Sequence, residues 1–163
     1  KVLKVSVKML EQAFIGGGKK QTYDSDSVVS KTLSKSKIME AEVENNLDKY
    51  IESGETSAKY EGSVSLYGRE TLYDFDLSYS VGKASYSMTI TQETKTTGFW
   101  IFKRTKSRYV IDVMVSDIYD FDEYRTDKSL GSILNNWGYD MQQIGVIKPY
   151  AWEATYTVYG KWR

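Results

Sequence analysis

The hydrophobic period changes partway along the chain, and that change limits its fold more than any other feature. At the start, Leu3, Val7, Leu10 and Phe14 recur at spacings of four, three and four, one stripe of an α-helix. Gly16-Gly17-Gly18 ends that helix. The polar stretch 19–36, rich in Ser and Lys, reads as loop. A second helix is predicted from about Lys37 to Ser53, with Met39, Val43, Leu47 and Tyr50 on one face, Ser36 as N-cap and Gly54 as its stop. From residue 73 the period falls to two. Tyr73, Phe75, Leu77, Tyr79 and Val81 alternate with Asp74, Asp76, Ser78 and Ser80. Ala84, Tyr86, Met88 and Ile90 then alternate with Ser85, Ser87, Thr89 and Thr91. The two runs predict strands joined by a hairpin turn at Val81-Gly82-Lys83-Ala84. Further strands are predicted at Phe99–Phe102, Tyr109–Ser116 and Tyr150–Tyr159, the last with the single proline, Pro149, at its start, where a missing donor is tolerated. Before that last strand, Leu130, Ile133, Leu134, Trp137, Met141 and Ile144 share one helical face and Gly145 stops the helix. This helix is expected to pack on the sheet and to bury Ile133, Leu134 and Trp137. Runs of helix, strands, helix and strand imply an α+β fold with a mainly antiparallel sheet.

At 163 residues the chain fits a single domain, with 1–54 mainly helical and 55–163 rich in strands. Composition is 40% hydrophobic, enough for a core. The 22 basic and 22 acidic residues balance, so no global basic field points to nucleic acid. The chain has no Cys, hence no disulfide or thiolate metal site. It also has no His, which removes the commonest general base and excludes Ser-His-Asp, Cys-His and His-based nuclease chemistry. Catalysis would have to use Asp, Glu, Tyr, Lys, Arg or Ser. No apolar run approaches the roughly 20 residues of a membrane span. The sequence opens on Lys1, without Met or a signal peptide, and reads as a piece of a longer protein or a processed form, with any delivery or receptor-binding part outside it.

Acidic residues crowd the segment after the predicted 109–116 strand: Asp117, Asp120, Asp122, Glu123 and Asp127, with Arg125 and Lys128 among them. Converging carboxylates can hold Mg²⁺, which prefers oxygen ligands and bridges to phosphate, and an Arg fork binds phosphate. The plain alternative is a solvated charged loop. Tyr73-Asp74-Phe75-Asp76 repeats the tetrapeptide of residues 119–122 inside an alternating run. There its aspartates are expected to face water, so the tetrapeptide alone carries no information. Gly16-Gly17-Gly18 with Lys19 and Lys20 lacks the spacing of a phosphate-binding loop and reads better as a helix terminator. The aromatic strands are explained by sheet packing rather than by carbohydrate binding.

Asp117-Ile118-Tyr119-Asp120-Phe121 resembles the Asp-x-Tyr-Asp-Phe segment at the active site of the colicin M family of bacteriocins. The layout around it is similar too. Phe14-Ile15-Gly16-Gly17-Gly18 follows an apolar helix, Glu52-Ser53-Gly54 closes a second helix before the strands, and Lys148-Pro149-Tyr150 leads into the last strand. Where the family carries a His-Arg pair six residues after the second aspartate, this chain has Thr126 and Asp127, with Arg125 one residue early.

The resemblance implies a curved, mainly antiparallel sheet, an open half-barrel, with N-terminal helices and one helix packed on it. It implies a Mg²⁺-dependent enzyme that cuts the peptidoglycan precursor lipid II between undecaprenyl and diphosphate. Asp117 and Asp120 would hold the metal or activate the attacking group, Tyr119 would orient or donate to a phosphate oxygen, and Arg125 would neutralise the diphosphate. The partners implied are lipid II at the membrane surface and an immunity protein, with action in the periplasm after secretion or delivery and no nucleic acid. Lack of histidine keeps open a non-enzymatic toxin or binding module of the same fold, and an enzyme on another phosphate or sugar substrate is the third reading.

Overall fold

The computed structural model describes residues 3–98, 103–122 and 130–162. The elements run α1 (Lys4–Ile15), β1 (Gln21–Tyr23), α2 (Val28–Leu33), α3 (Lys37–Ser53), β2 (Ser57–Ser65), α4 (Leu72–Ser80), β3 (Lys83–Thr97), β4 (Arg104–Tyr119), α5 (Leu130–Gln143) and β5 (Tyr150–Tyr159). The fold is α+β. One five-stranded sheet has the order β1-β5-β4-β3-β2. β1 runs parallel to β5, and the other neighbours are antiparallel.

The sheet buries one face, which its alternation encodes. Ala84, Met88 and Ile90 of β3, Ile111, Val113 and Val115 of β4, and Trp152, Ala154 and Tyr156 of β5 all enter the core. Val5, Met9 and Ala13 of α1, Val29 and Leu33 of α2, Met39, Val43 and Tyr50 of α3, and Leu77 of α4 meet them. Burying each large aliphatic or aromatic side chain stabilises the fold by about 1.5–3 kcal/mol.

α3 is as expected. The Ser36 hydroxyl accepts the Met39 amide at 3.2 Å, and Gly54 closes the helix at φ +69°. Other expectations are corrected. Residues 19–36 contain β1 and α2 rather than loop, because Tyr23, Val29 and Leu33 reach the core and the Ser27 side chain caps α2. α1 buries Val5, Met9 and Ala13 instead of the Leu3–Phe14 stripe, and Val7 is 64% exposed. β3 and β4 extend well past the predicted 84–91 and 109–116. The strand predicted at Phe99–Phe102 lies outside the described residues.

Two corrections matter for the site. The alternating run 73–81 is the helix α4, and the residues around Val81 are its exit rather than a hairpin turn. Thr71 caps α4 by accepting the Asp74 amide at 3.1 Å. Val81 still donates to the Leu77 carbonyl, and Gly82 takes φ +69°, the left-handed value that lets the chain turn into β3. Asp74 and Asp76 do not face water: both are buried. Asp74 accepts the hydroxyls of Ser36 and Thr71, each at 2.6 Å, and Asp76 accepts the amides of Val5 and Ser6. The inward face of this helix is therefore polar, which inverted the period signal.

α5 forms where expected, but Ile133, Leu134 and Trp137 are 57%, 54% and 43% exposed rather than buried. The core face is already covered by the first four helices. α5 instead meets the end of the sheet, where the Phe121 amide donates to the Gln142 side chain at 3.1 Å and Trp137 approaches Phe14, ring centres 6.1 Å apart.

Candidate active site

Strand alternation decides where the acidic segment points. Val115, Asp117 and Tyr119 share the core side of β4. Asp117 stands opposite Trp152 of β5, and Tyr119 opposite Tyr150. Asp117 is thus an aspartate on the inner face of the sheet, at the point where the core opens. The opening is a groove of about 460 Å³ between the end of β4 and the exit of α4. Asp117, Tyr119, Asp120 and Asp122 line it together with Tyr67, Ser80 and Lys83. Trp152 also lines it; its indole is 1% exposed, and its Nε1 has no acceptor among the described residues.

Partial burial pushes the Asp117 carboxyl above the usual carboxylate range, and the Asp120 charge adds to it, against an opposing hydrogen bond from the Ile118 amide. Asp120 is raised in the same way, by loss of water and then by Asp122. Asp117 and Asp120 thus feel each other's charge, and neither has an ion-pair partner among the described residues. Lys83 lines the same groove and has no ion-pair partner among the described residues. Among the described residues no three carboxylates converge as a ready metal cage.

Tyr119 is 8% exposed. Its ring lies 5.5 Å from those of both Phe121 and Tyr150, and burial drives its phenol far above the usual value, so it stays protonated. Tyr119 and Phe121 also bound a second groove, of about 250 Å³, lined by Leu3, Val7 and Leu10 of α1 and Leu134 and Trp137 of α5. This groove is apolar, and Tyr79 and Asn135 too belong to both. The α5 face, which the sequence assigned to the core, and the Leu3–Leu10 part of the α1 stripe line it.

The structure brings Asp117, Tyr119 and Asp120 onto one concave surface. Arg125, Glu123 and Asp127 lie outside the described residues. Lys83, Tyr67 and Ser80 join the site without having been singled out from sequence, because a hairpin reading of residues 81–84 put Lys83 on the wrong connection. The only sequence signal for them is Thr71-x-x-Asp74, a capping pattern that starts a helix and so places its exit beside β4. The chain matches no protein-family model, and comparison with curated proteins and with solved structures finds none that it matches.

Proposed function

We propose that this chain is an antibacterial toxin domain that hydrolyses the undecaprenyl-diphosphate linkage of lipid II with Mg²⁺ assistance, blocking cell-wall synthesis in the periplasm of target bacteria. The observation that supports it best is the pair of neighbouring grooves, one acidic and polar and one apolar, both lined by Tyr119 and Phe121. A ligand filling both has a charged head and a hydrocarbon tail. Sites of this kind, concave and lined by carboxylates shifted by burial, are where chemistry concentrates.

Asp117 and Asp120 offer oxygen ligands on one groove, and Mg²⁺ commonly takes one or two carboxylates while keeping waters and substrate phosphates. Charge neutralisation at the diphosphate is what bound Mg²⁺ supplies. A carboxylate whose proton affinity is raised by burial is a better acceptor for the proton of an attacking water than an ordinary one. Asp117, on the inner face, suits that role, and Asp120 at the rim suits the metal. Lys83 lines the same groove and would offset charge on the diphosphate, a role that Arg125 would share. Tyr119 holds the boundary between head and tail and keeps a proton to donate to a phosphate oxygen. The immunity protein would cover this opening. No helix among the described residues is long and apolar enough to cross a membrane.

Purified lipid II incubated with the protein, with and without Mg²⁺, tests the reading. Released undecaprenol and diphosphorylated head group are expected only with Mg²⁺. Binding without any cleavage by the folded protein would move the reading to a non-enzymatic binding module, which the lack of histidine favours. A different product would assign another phosphate or sugar substrate.

A further inference from the structure

β2 pairs with β3 only as far as Thr91, and β5 pairs with β4 only from Val110. Beyond those points β3 and β4 pair only with each other, through Gln92↔Tyr109 to Thr97↔Arg104. The result is a two-stranded arm of roughly 20 Å at 3.3–3.4 Å per residue. Residues 92–98 and 103–106 are exposed. A lone two-stranded ribbon is marginal in water, and the contacts of this one with other described residues are at its base, where Arg108 stacks on Tyr159 and Tyr109 meets Tyr50 and Gly160.

The register sorts the arm into two faces. Glu93 and Arg108, Lys95 and Lys106, and Thr97 and Arg104 are cross-strand partners on one face. Thr94 and Ser107, and Thr96 and Thr105, are partners on the other, where the two threonine hydroxyls bond at 3.1 Å. The first face is basic. Arg108 pairs with the only carboxylate of the arm, Glu93, at 2.8 Å and stacks on Tyr159 and Trp162. Lys95, Arg104 and Lys106 have no acidic partner among the described residues. Lys95 sits directly opposite Lys106, and like charges in that position destabilise a strand pair. Folding alone gives no reason for this arrangement, whereas an anion bound across the face does. The whole chain is neutral, so the excess positive charge of the arm is matched by negative charge elsewhere. A polyanion long enough to wrap the rest of the chain would be repelled by it. In the sequence, the longest uninterrupted apolar run, Phe-Trp-Ile-Phe, falls between Gly98 and Lys103. Basic residues beside aromatic and aliphatic ones are the composition that binds anionic bilayer interfaces.

We propose that the basic face of the β3–β4 arm docks on an anionic phospholipid bilayer, through Lys95, Arg104 and Lys106. Flotation with vesicles of phosphatidylcholine alone, and of phosphatidylcholine with 30% phosphatidylglycerol, tests it at 0.1 M and 0.5 M salt. Binding is expected to the anionic vesicles, to weaken at high salt, and to be weak to the neutral ones. Lys95→Glu separates docking from folding. It replaces the repulsive pair by an attractive one and leaves the melting temperature equal or higher, yet vesicle binding falls at least tenfold. Lys106→Arg keeps binding. Equal binding to neutral vesicles, or full binding by a folded Lys95→Glu protein, overturns the proposal. So does tighter binding to a single-stranded oligonucleotide than to anionic vesicles.

Discussion

Asp76 caps a helix far from it in sequence: its carboxylate accepts, at 2.8 Å, the amide of Val5, 71 residues earlier and buried in the first turn of α1. The same carboxylate takes the amide and hydroxyl of Ser6, at 3.0 and 2.8 Å. α1 has no side-chain cap of its own at Leu3, so a distant acid satisfies the donors that every helix start leaves open. Two residues earlier, Asp74 joins the caps of α3 and α4 through Ser36 and Thr71. One turn of α4 therefore ties three helices together.

Removing either acid should be expensive for the fold. Asp76→Ala leaves the Val5 and Ser6 amides unpaired, which costs about 2–3 kcal/mol for charge-assisted, buried bonds. In a chain of this size that is roughly a 5–10 °C fall in melting temperature. Asp76→Asn, which keeps an acceptor, should lose less than half as much. Thermal melts followed by circular dichroism decide it, and an unchanged melting temperature for Asp76→Ala would show that the cap is not needed.

Acid should undo the same joint. Burial alone would raise the Asp74 carboxyl, but the hydroxyls of Ser36 and Thr71 and the amides of Ile38 and Lys37 outweigh it and hold the group below its usual value. A carboxyl lowered in the folded state gives its full stability above its unfolded value, about 3.9, and loses it as pH falls through the lower folded value. Denaturant melts between pH 6 and pH 2 should show wild type losing stability in that acid window. Asp74→Asn, already weaker at pH 6, should show a shallower loss. Parallel curves for the two would remove Asp74 from the acid transition.

This joint also marks where the sequence could be read and where it could not. Helix α3, the strand β5 and the core parity of β4 follow from caps, turn residues and alternation, because each has one apolar face against one core. α4 failed that reading. Its buried positions include Asp74, Asp76, Leu77 and Ser80, while Tyr73 and Tyr79 are 40% and 50% exposed, so hydrophobic periodicity reported the wrong face and the wrong element. In α1 and α5 the apolar residues exceed what the core can take, and packing decides which stripe is left outside. The Asp117–Phe121 segment stood out by its crowded acids and its resemblance, but that Asp117 faces inward required β4 to run on to Tyr119. Lys83 was not, since its place depends on α4 being a helix.

The unburied stripes make a prediction about the apolar groove. Trp137 is 43% exposed, and its truncation to Ala should cost about 1 kcal/mol or less. If the groove holds the tail of a lipid-linked diphosphate, Trp137→Ala and Leu134→Glu should slow cleavage of a long-chain substrate about tenfold. Cleavage of a water-soluble short-chain analogue should hardly change. Equal losses on both substrates would show that α5 acts on the head-group site instead.

Compartment gives an independent check. Lipid II displays its head group on the periplasmic side, so expression with a periplasmic leader should arrest growth with lysis, and cytoplasmic expression should be tolerated. Equal killing from both locations would point to a cytoplasmic target and set the lipid reading aside.

The sharpest prediction joins stability to activity at Asp117. Its carboxyl is raised, first by burial and then by Asp120, so in the folded state the charged form is held at a loss. A carboxyl raised in this way weakens the fold above its folded value, and the penalty vanishes as pH falls below its unfolded value. Asp117→Asn removes the charge and keeps the shape. It should melt slightly higher than wild type at pH 7 and equal to wild type near pH 3, while cleavage falls by about 100-fold or more, the scale seen when a group acting on the transition state is removed. Asp112→Asn, on the outer face of the same strand, where Asp112 accepts the Thr157 hydroxyl at 2.7 Å, serves as the control and should leave cleavage unchanged. A structural aspartate would behave in the opposite way, losing stability when neutralised. If Asp117→Asn unfolds the domain, or if it cleaves as well as wild type, the inner-face carboxylate has no part in the chemistry and the groove binds without reacting.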